Sequence, residues 1–154
     1  MVGDRIPSSA IEDCLRGLLS KEGFDLSPKR SNGETGVDIK ATRGSDSYFI
    51  EVIGYKSSAP MRAKDFFEAF FRAVSRLNDG AEHCVIAWSN RGARGLPARA
   101  RQHREAWTRI SRVFPELEIW LVDTENRRYE RTKWGKWLER QVGDRGPPQP
   151  LHQP

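Results

Sequence analysis

The sequence holds two cysteines and three histidines in 154 residues. Cys14 and Cys84 both fall in apolar periodic segments, so they read as buried thiols rather than a disulfide, and no Cys/His spacing suggests zinc. No apolar run approaches the length of a membrane span, and residues 1–5 do not lead into the apolar stretch of a signal peptide. A reducing, cytoplasmic setting without a membrane partner is expected. A glycine-rich phosphate loop after a first strand is missing, as is a Ser or Cys nucleophile beside a plausible histidine. Those absences argue against a small-molecule enzyme on an unrelated α/β fold. No internal repeat is visible.

What the chain has in excess is positive charge. Lys and Arg number 26 against 21 Asp and Glu, a net charge of +5. Before residue 90 the charges are roughly balanced, whereas 91–112 and 127–140 are strongly basic. Such asymmetry is a footprint for a polyanion, with nucleic acid the leading candidate. A merely solvated arginine-rich surface is the plainer alternative.

The most informative stretch is 36–41 followed by 48–56. Each half reads as a β-branched or aromatic strand, and Arg43, Gly44, Ser45 and Asp46 supply the turn, which predicts a hairpin. Each strand carries a carboxylate within its apolar part, Asp38 between Val37 and Ile39, and Glu51 between Ile50 and Val52. Side chains alternate along a strand, so Glu51 shares a face with Phe49 and Ile53. An unpaired buried carboxylate costs several kcal/mol or takes up a proton. Either the acids lie in water at a sheet edge, or a cation compensates them; hard oxygen ligands favour a divalent metal between Asp38 and Glu51.

The rest of the chain sets this hairpin in an α/β frame. Ser8 or Ser9 caps a first helix with Ile11, Cys14, Leu15, Leu18 and Leu19 at helical spacing, and Ser9 with Glu12 has the capping-box spacing. Gly23 ends that helix, a short strand follows at 24–26, and 31–36 is a glycine-rich turn. A second helix is expected at about 62–77, with Phe66, Phe67, Phe70, Phe71, Val74 and Leu77 as core. Residues 84–88 read as a buried strand and 89–95 as a flexible basic loop. A third helix opens at Pro97, with Leu96, Ala100, Trp107, Ile110 and Phe114 as its apolar stripe and His103 as a packed histidine. A strand at 117–122, a turn at 123–126 and an edge strand at 129–132 complete the sheet, onto which Trp134 and Trp137 fold back. Residues 1–140 form one domain, and 141–154, rich in Pro, Gly and Gln, read as a disordered tail. The expected architecture is a mixed sheet with helices on both faces.

With Gly36, Val37, Asp38 and Ile39 on one strand and 49–54 on the next, the chain resembles the restriction-endonuclease-like, PD-(D/E)XK nuclease superfamily. The helix opening at Ser9, Ala10, Ile11 and Glu12 looks like that of the Holliday-junction-resolvase and related branches. The likeness covers about residues 8–90. It implies an αβββαβ core and a role in cleaving or binding nucleic acid. By the same resemblance Asp38, Glu51 and the main-chain carbonyl of Val52 would bind Mg²⁺, with Mn²⁺ a substitute, and Glu12 would hold a metal-bound water at the rim. The family places a lysine two residues after the strand glutamate, and here that position is Ile53. Lys56, just past Gly54, is the favoured replacement, ahead of Lys40 on the Asp38 face and Lys64 on the second helix.

Two functions follow as expectations. One is a Mg²⁺-dependent endonuclease acting on DNA in restriction, repair or recombination. In it Arg91, Arg94, Arg99, Arg101, Lys133 and Lys136 would track the phosphate backbone, and sequence-specific cutting would require a partner or a homodimer. The other is a nuclease-fold module that lost catalysis with its lysine and binds nucleic acid or a protein.

Overall fold

Alternating apolar residues and a four-residue turn give the anticipated hairpin. In the computed structural model, which describes residues 5–31 and 36–139, β2 (Ile39–Arg43) pairs antiparallel with β3 (Asp46–Val52). Odd residues of β3 and its continuation, Phe49 and Ile53, face one hydrophobic cluster, and Tyr48, Ile50 and Val52 face another. The two faces of this strand are therefore both covered, as its near-continuous apolar run demands.

The hairpin is extended on both sides. A two-residue β1 (Asp25–Leu26) pairs antiparallel with β2. On the other side β4 (His83–Ser89) and β5 (Leu117–Asp123) run parallel to β3, and β6 (Arg128–Lys133) closes the far edge antiparallel to β5. The result is one mixed six-stranded sheet in the order β1-β2-β3-β4-β5-β6. The expected α/β class, with helices on both faces, is what forms. Helix α1 (Ser8–Lys21) covers one face through Ile11, Cys14, Leu15 and Leu19. Helices α2 (Ala59–Ser75), α3 (Leu96–Gln102), α4 (Arg104–Val113) and the one-turn α5 (Lys136–Glu139) cover the other. Trp134 and Trp137 do fold back: both are buried in that second cluster. Cys14 and Cys84 are buried free thiols. Among the described residues no helix is long and apolar enough to cross a membrane.

Four local expectations are corrected. The Ser9–Glu12 capping box does not form, because the helix begins two residues earlier, with Pro7 rather than Ser8 or Ser9 at its cap position. The carbonyl of Pro7 accepts from the amides of Ala10 and Ile11, and Glu12 bonds Arg16 instead. The single third helix is two, broken at His103, which leaves helical geometry and sets its ring edge-on to Phe67. The flexible basic loop is an ordered 3-10 segment, Asn90–Gly95. Ser89 caps it, and a Cβ on Gly92 would lie 2.4 Å from the buried Trp88 ring, so that position admits only glycine. Finally, α2 does not bury all its aromatics. It rests on β3 and β4 through Phe66, Ala69 and Ala73, which leaves Phe67 42% and Phe71 68% exposed. A helix laid on a sheet has only one side to bury. The expected tail at 141–154 and most of the 31–36 turn lie outside the described residues.

Candidate active site

The β2–β3 ladder pairs Ile39 with Ile50 and Lys40 with Phe49. Continuing it by one step sets Asp38 opposite Glu51, and alternation puts both on the α2 face of the sheet. Directly opposed cross-strand residues have Cβ atoms about 5 Å apart. The structure thus brings the two predicted acids together. Asp38 sits where the strand begins: its Oδ2 accepts the Val52 amide at 2.8 Å, and its own carbonyl accepts from Arg16 at 2.9 Å. Arg16 also bonds Glu12 at 2.8 Å and the Ser27 carbonyl at 2.6 Å. Glu12 therefore acts on the site through Arg16, bracing the main chain of Asp38 from the opposite side of the sheet.

Glu51 is only 2% exposed, and it is answered by arginines that sequence reasoning missed. Arg72 Nε lies 3.5 Å from its Oε1 and Arg76 Nε 3.6 Å from its Oε2. Arg30 forms an ion pair with Asp38. The only sequence signal was the i, i+4 spacing of Arg72, in α2, and Arg76, which opens the 3-10 turn after it. That spacing aims two guanidinium groups at the face where Glu51 points.

This compensation is incomplete. Arg72 is shared with Glu68 and Arg76 with Asp79. Four carboxylates thus divide three guanidinium groups, and Oε2 of Glu51, like Nε of Arg76, has no hydrogen-bond partner among the described residues. Burial first, and then the charge of Asp38, push the Glu51 carboxyl from its ordinary 4.5 up to about 7, against the pull of Arg72, Arg76 and Arg30. The consequence for stability has a definite sign. A carboxyl whose folded pKa is raised favours folding below about pH 4.5, and that contribution, on the order of 3 kcal/mol, is lost as pH rises to about 7. The melting temperature of wild type is accordingly expected to fall more between pH 5 and 8 than that of Glu51→Gln. Parallel melting curves across that range would contradict the assignment.

Among the described residues no lysine touches these acids in place of the one that the nuclease pattern requires. Ile53 is 5% exposed and packs in the core. Lys56 pairs with Asp65 at 2.7 Å, Lys40 lies over the Phe49 ring at 5.2 Å, and Lys64 is exposed on α2. A cleft of about 300 Å³ is lined by Val52, Gly54, Lys56, Asp65, Glu68 and Arg72 among others, and reaches the acid pair through Val52 and Arg72. Arg72 is the cation that both approaches Glu51 and lines this cleft.

The acids present hard oxygen donors of the kind a divalent cation takes. The orphaned buried Oε2 and the excess of carboxylates over guanidinium groups also fit such an ion. Among the described residues no three His, Cys, Asp or Glu side chains gather as a ready-made metal site, so main-chain oxygen or water would complete the coordination. Of the basic residues expected to meet a polyanion, Arg91 approaches Glu125 at 3.9 Å and Lys133 approaches Glu118 at 3.5 Å. Arg94 and Lys136 are exposed, Arg101 is half-buried, and Arg99 lies over the rings of Phe66 and Phe67. Comparison with family models, curated proteins and solved structures finds no match to this chain.

Proposed function

We propose that this chain is a divalent-metal-dependent nuclease that hydrolyses phosphodiester bonds of DNA. The observation that carries the reading is the opposed, incompletely compensated pair Asp38 and Glu51, joined through Val52 and Arg72 to a cleft that also holds Lys56. The strand connectivity supports it: helix, three antiparallel strands, helix and a parallel fourth strand follow the αβββαβ order of restriction-endonuclease-like folds.

Asp38 and Glu51 would hold the ion, with the Val52 carbonyl beside them. A metal so bound supplies an activated water and neutralises charge on the phosphate oxygens. The chain's own residues supply the rest. Val52 N–H fixes Asp38, and Arg16, held by Glu12, fixes the backbone from which Asp38 projects. Arg72 stands in the cleft where a lysine would otherwise work. Its guanidinium stabilises the negative charge that builds on the scissile phosphate. Lys56, anchored by Asp65 on the cleft wall, attracts the substrate backbone.

Cleavage of supercoiled and linear DNA with Mg²⁺ or Mn²⁺ tests the reading. Arg72→Ala is expected to lower the cleavage rate by about 10²-fold with little change in DNA affinity, whereas Lys40→Ala stays near wild type. An Arg72→Ala protein that cuts at the wild-type rate would remove Arg72 from this role.

A second reading, a nuclease-fold module that binds nucleic acid without cutting it, is favoured by one observation: Ile53 is packed into the core at the lysine position. It predicts DNA binding that persists in EDTA and no cleavage with any divalent ion.

A further inference from the structure

The second helix begins with a feature that the acid pair does not use. Arg62 and Phe66 are one turn apart on α2, so they share a face of the helix. Arg99, from α3, lies over that same Phe66 ring at 5.6 Å and over Phe67 at 5.4 Å. Arg62 in turn lies over Tyr55 at 5.0 Å and donates to the Lys56 carbonyl at 2.8 Å. Each guanidinium group thus lies over aromatic rings, and the two are near enough for the charge of Arg62 to act on Arg99. No carboxylate pairs with Arg99 among the described residues, and its Nε is buried without a hydrogen-bond partner. Burial and the charge of Arg62 both disfavour its protonated form.

Like charges held together in a partly desolvated site cost free energy unless an anion sits between them. The rings hold the planar forks in place, and the remaining N–H groups, with no carboxylate on Arg99, are donors of the kind a tetrahedral oxyanion takes. Arg62 also ties this place to the cleft, because the carbonyl it bonds belongs to Lys56, a cleft residue.

We propose that Arg62 and Arg99, seated on Tyr55, Phe66 and Phe67, form a clamp for one phosphodiester of a nucleic-acid backbone, outside the cleavage site and next to it. This inference rests on the nucleic-acid reading above and adds a subsite to it. The clamp reads charge and not base identity, so it contributes affinity without sequence preference.

The test is fluorescence anisotropy of a labelled DNA duplex with the full chain in EDTA, at a series of salt concentrations. Arg62→Gln and Arg99→Gln are each expected to weaken binding several-fold and to lower the slope of log affinity against log salt by about one. Arg99→Lys keeps the charge and is expected to keep the wild-type slope, which separates lost charge from lost packing. Affinity and slope unmoved by both glutamine variants would overturn the clamp while leaving the nuclease reading intact. Slopes that fall as stated, in a protein that cuts no DNA with Mg²⁺ or Mn²⁺, would support the clamp and remove only the catalytic part of the proposed function.

Discussion

Asp38→Ala and Glu51→Ala are each expected to reduce DNA cleavage by at least about 10³-fold while leaving the protein folded. The two losses should have different origins. Asp38 is exposed enough to meet solvent and caps the Val52 amide, so its removal takes away one metal ligand and loosens the end of β3. Glu51 is buried between Phe49 and Ile53, and its ionised form is costly. Glu51→Ala therefore removes a buried charge, although it strands the guanidinium groups of Arg72 and Arg76, which keep Glu68 and Asp79 as partners. Stability in that variant is expected to change little, and activity to vanish. Such a split between stability and activity is the mark of a group retained for chemistry. A Glu51→Ala protein that cuts like wild type would end the reading of this pair as a reactive centre.

The largest effect on stability is expected at Trp107. Its ring is 1% exposed and stacks on Trp134 at 3.9 Å, with the Phe66 ring parallel to it at 6.2 Å. The two tryptophans also exchange hydrogen bonds: Trp107 Nε1 donates to the Trp134 carbonyl at 2.8 Å, and Trp134 Nε1 donates to the Trp107 carbonyl at 3.2 Å. Trp107→Ala would leave a cavity and take the shorter of two donors from the Trp134 carbonyl, which keeps the Trp137 amide. Truncation of a buried Trp costs about 3–5 kcal/mol, which for a chain of this size lowers Tm by roughly 10 °C or more. Trp107→Phe should recover most of it. Equal melting temperatures for Trp107→Ala and wild type would show that this cluster does not hold α4 and the β6–α5 turn to the core.

How much of this could be read in the chain varies with the range of the interaction. The hairpin and the facing of Asp38 and Glu51 follow from strand alternation and a short turn, and both are local. The return of Trp134 and Trp137 to the core follows from their size and apolarity. The partners of Glu51 were not legible in the same way. Two carboxylates within apolar strands imply a compensating cation, and the sequence offers a metal for it, with Lys56, Lys40 or Lys64 in place of the missing lysine. The charges that arrive are Arg72 and Arg76, some 20 residues on, placed by the packing of α2 across β3 and β4. Arg30 was likewise hidden, since no regular spacing links it to Asp38 eight residues on. Phe67 and Phe71 have the spacing of core residues. Only the docking angle of α2 decides that Phe66 is buried and Phe71 is not. The Ser9–Glu12 pair had the right letters for a cap, but the helix began at Ser8 and gave Glu12 to Arg16.

Titration of Mn²⁺ into the full chain, followed by calorimetry, tests the central claim most directly, with Asp38→Asn and Glu51→Gln run beside wild type. Wild type is expected to bind the ion, and each variant to lose that binding while melting cooperatively. The account is contradicted if wild type takes up no metal, or if both variants bind it as wild type does.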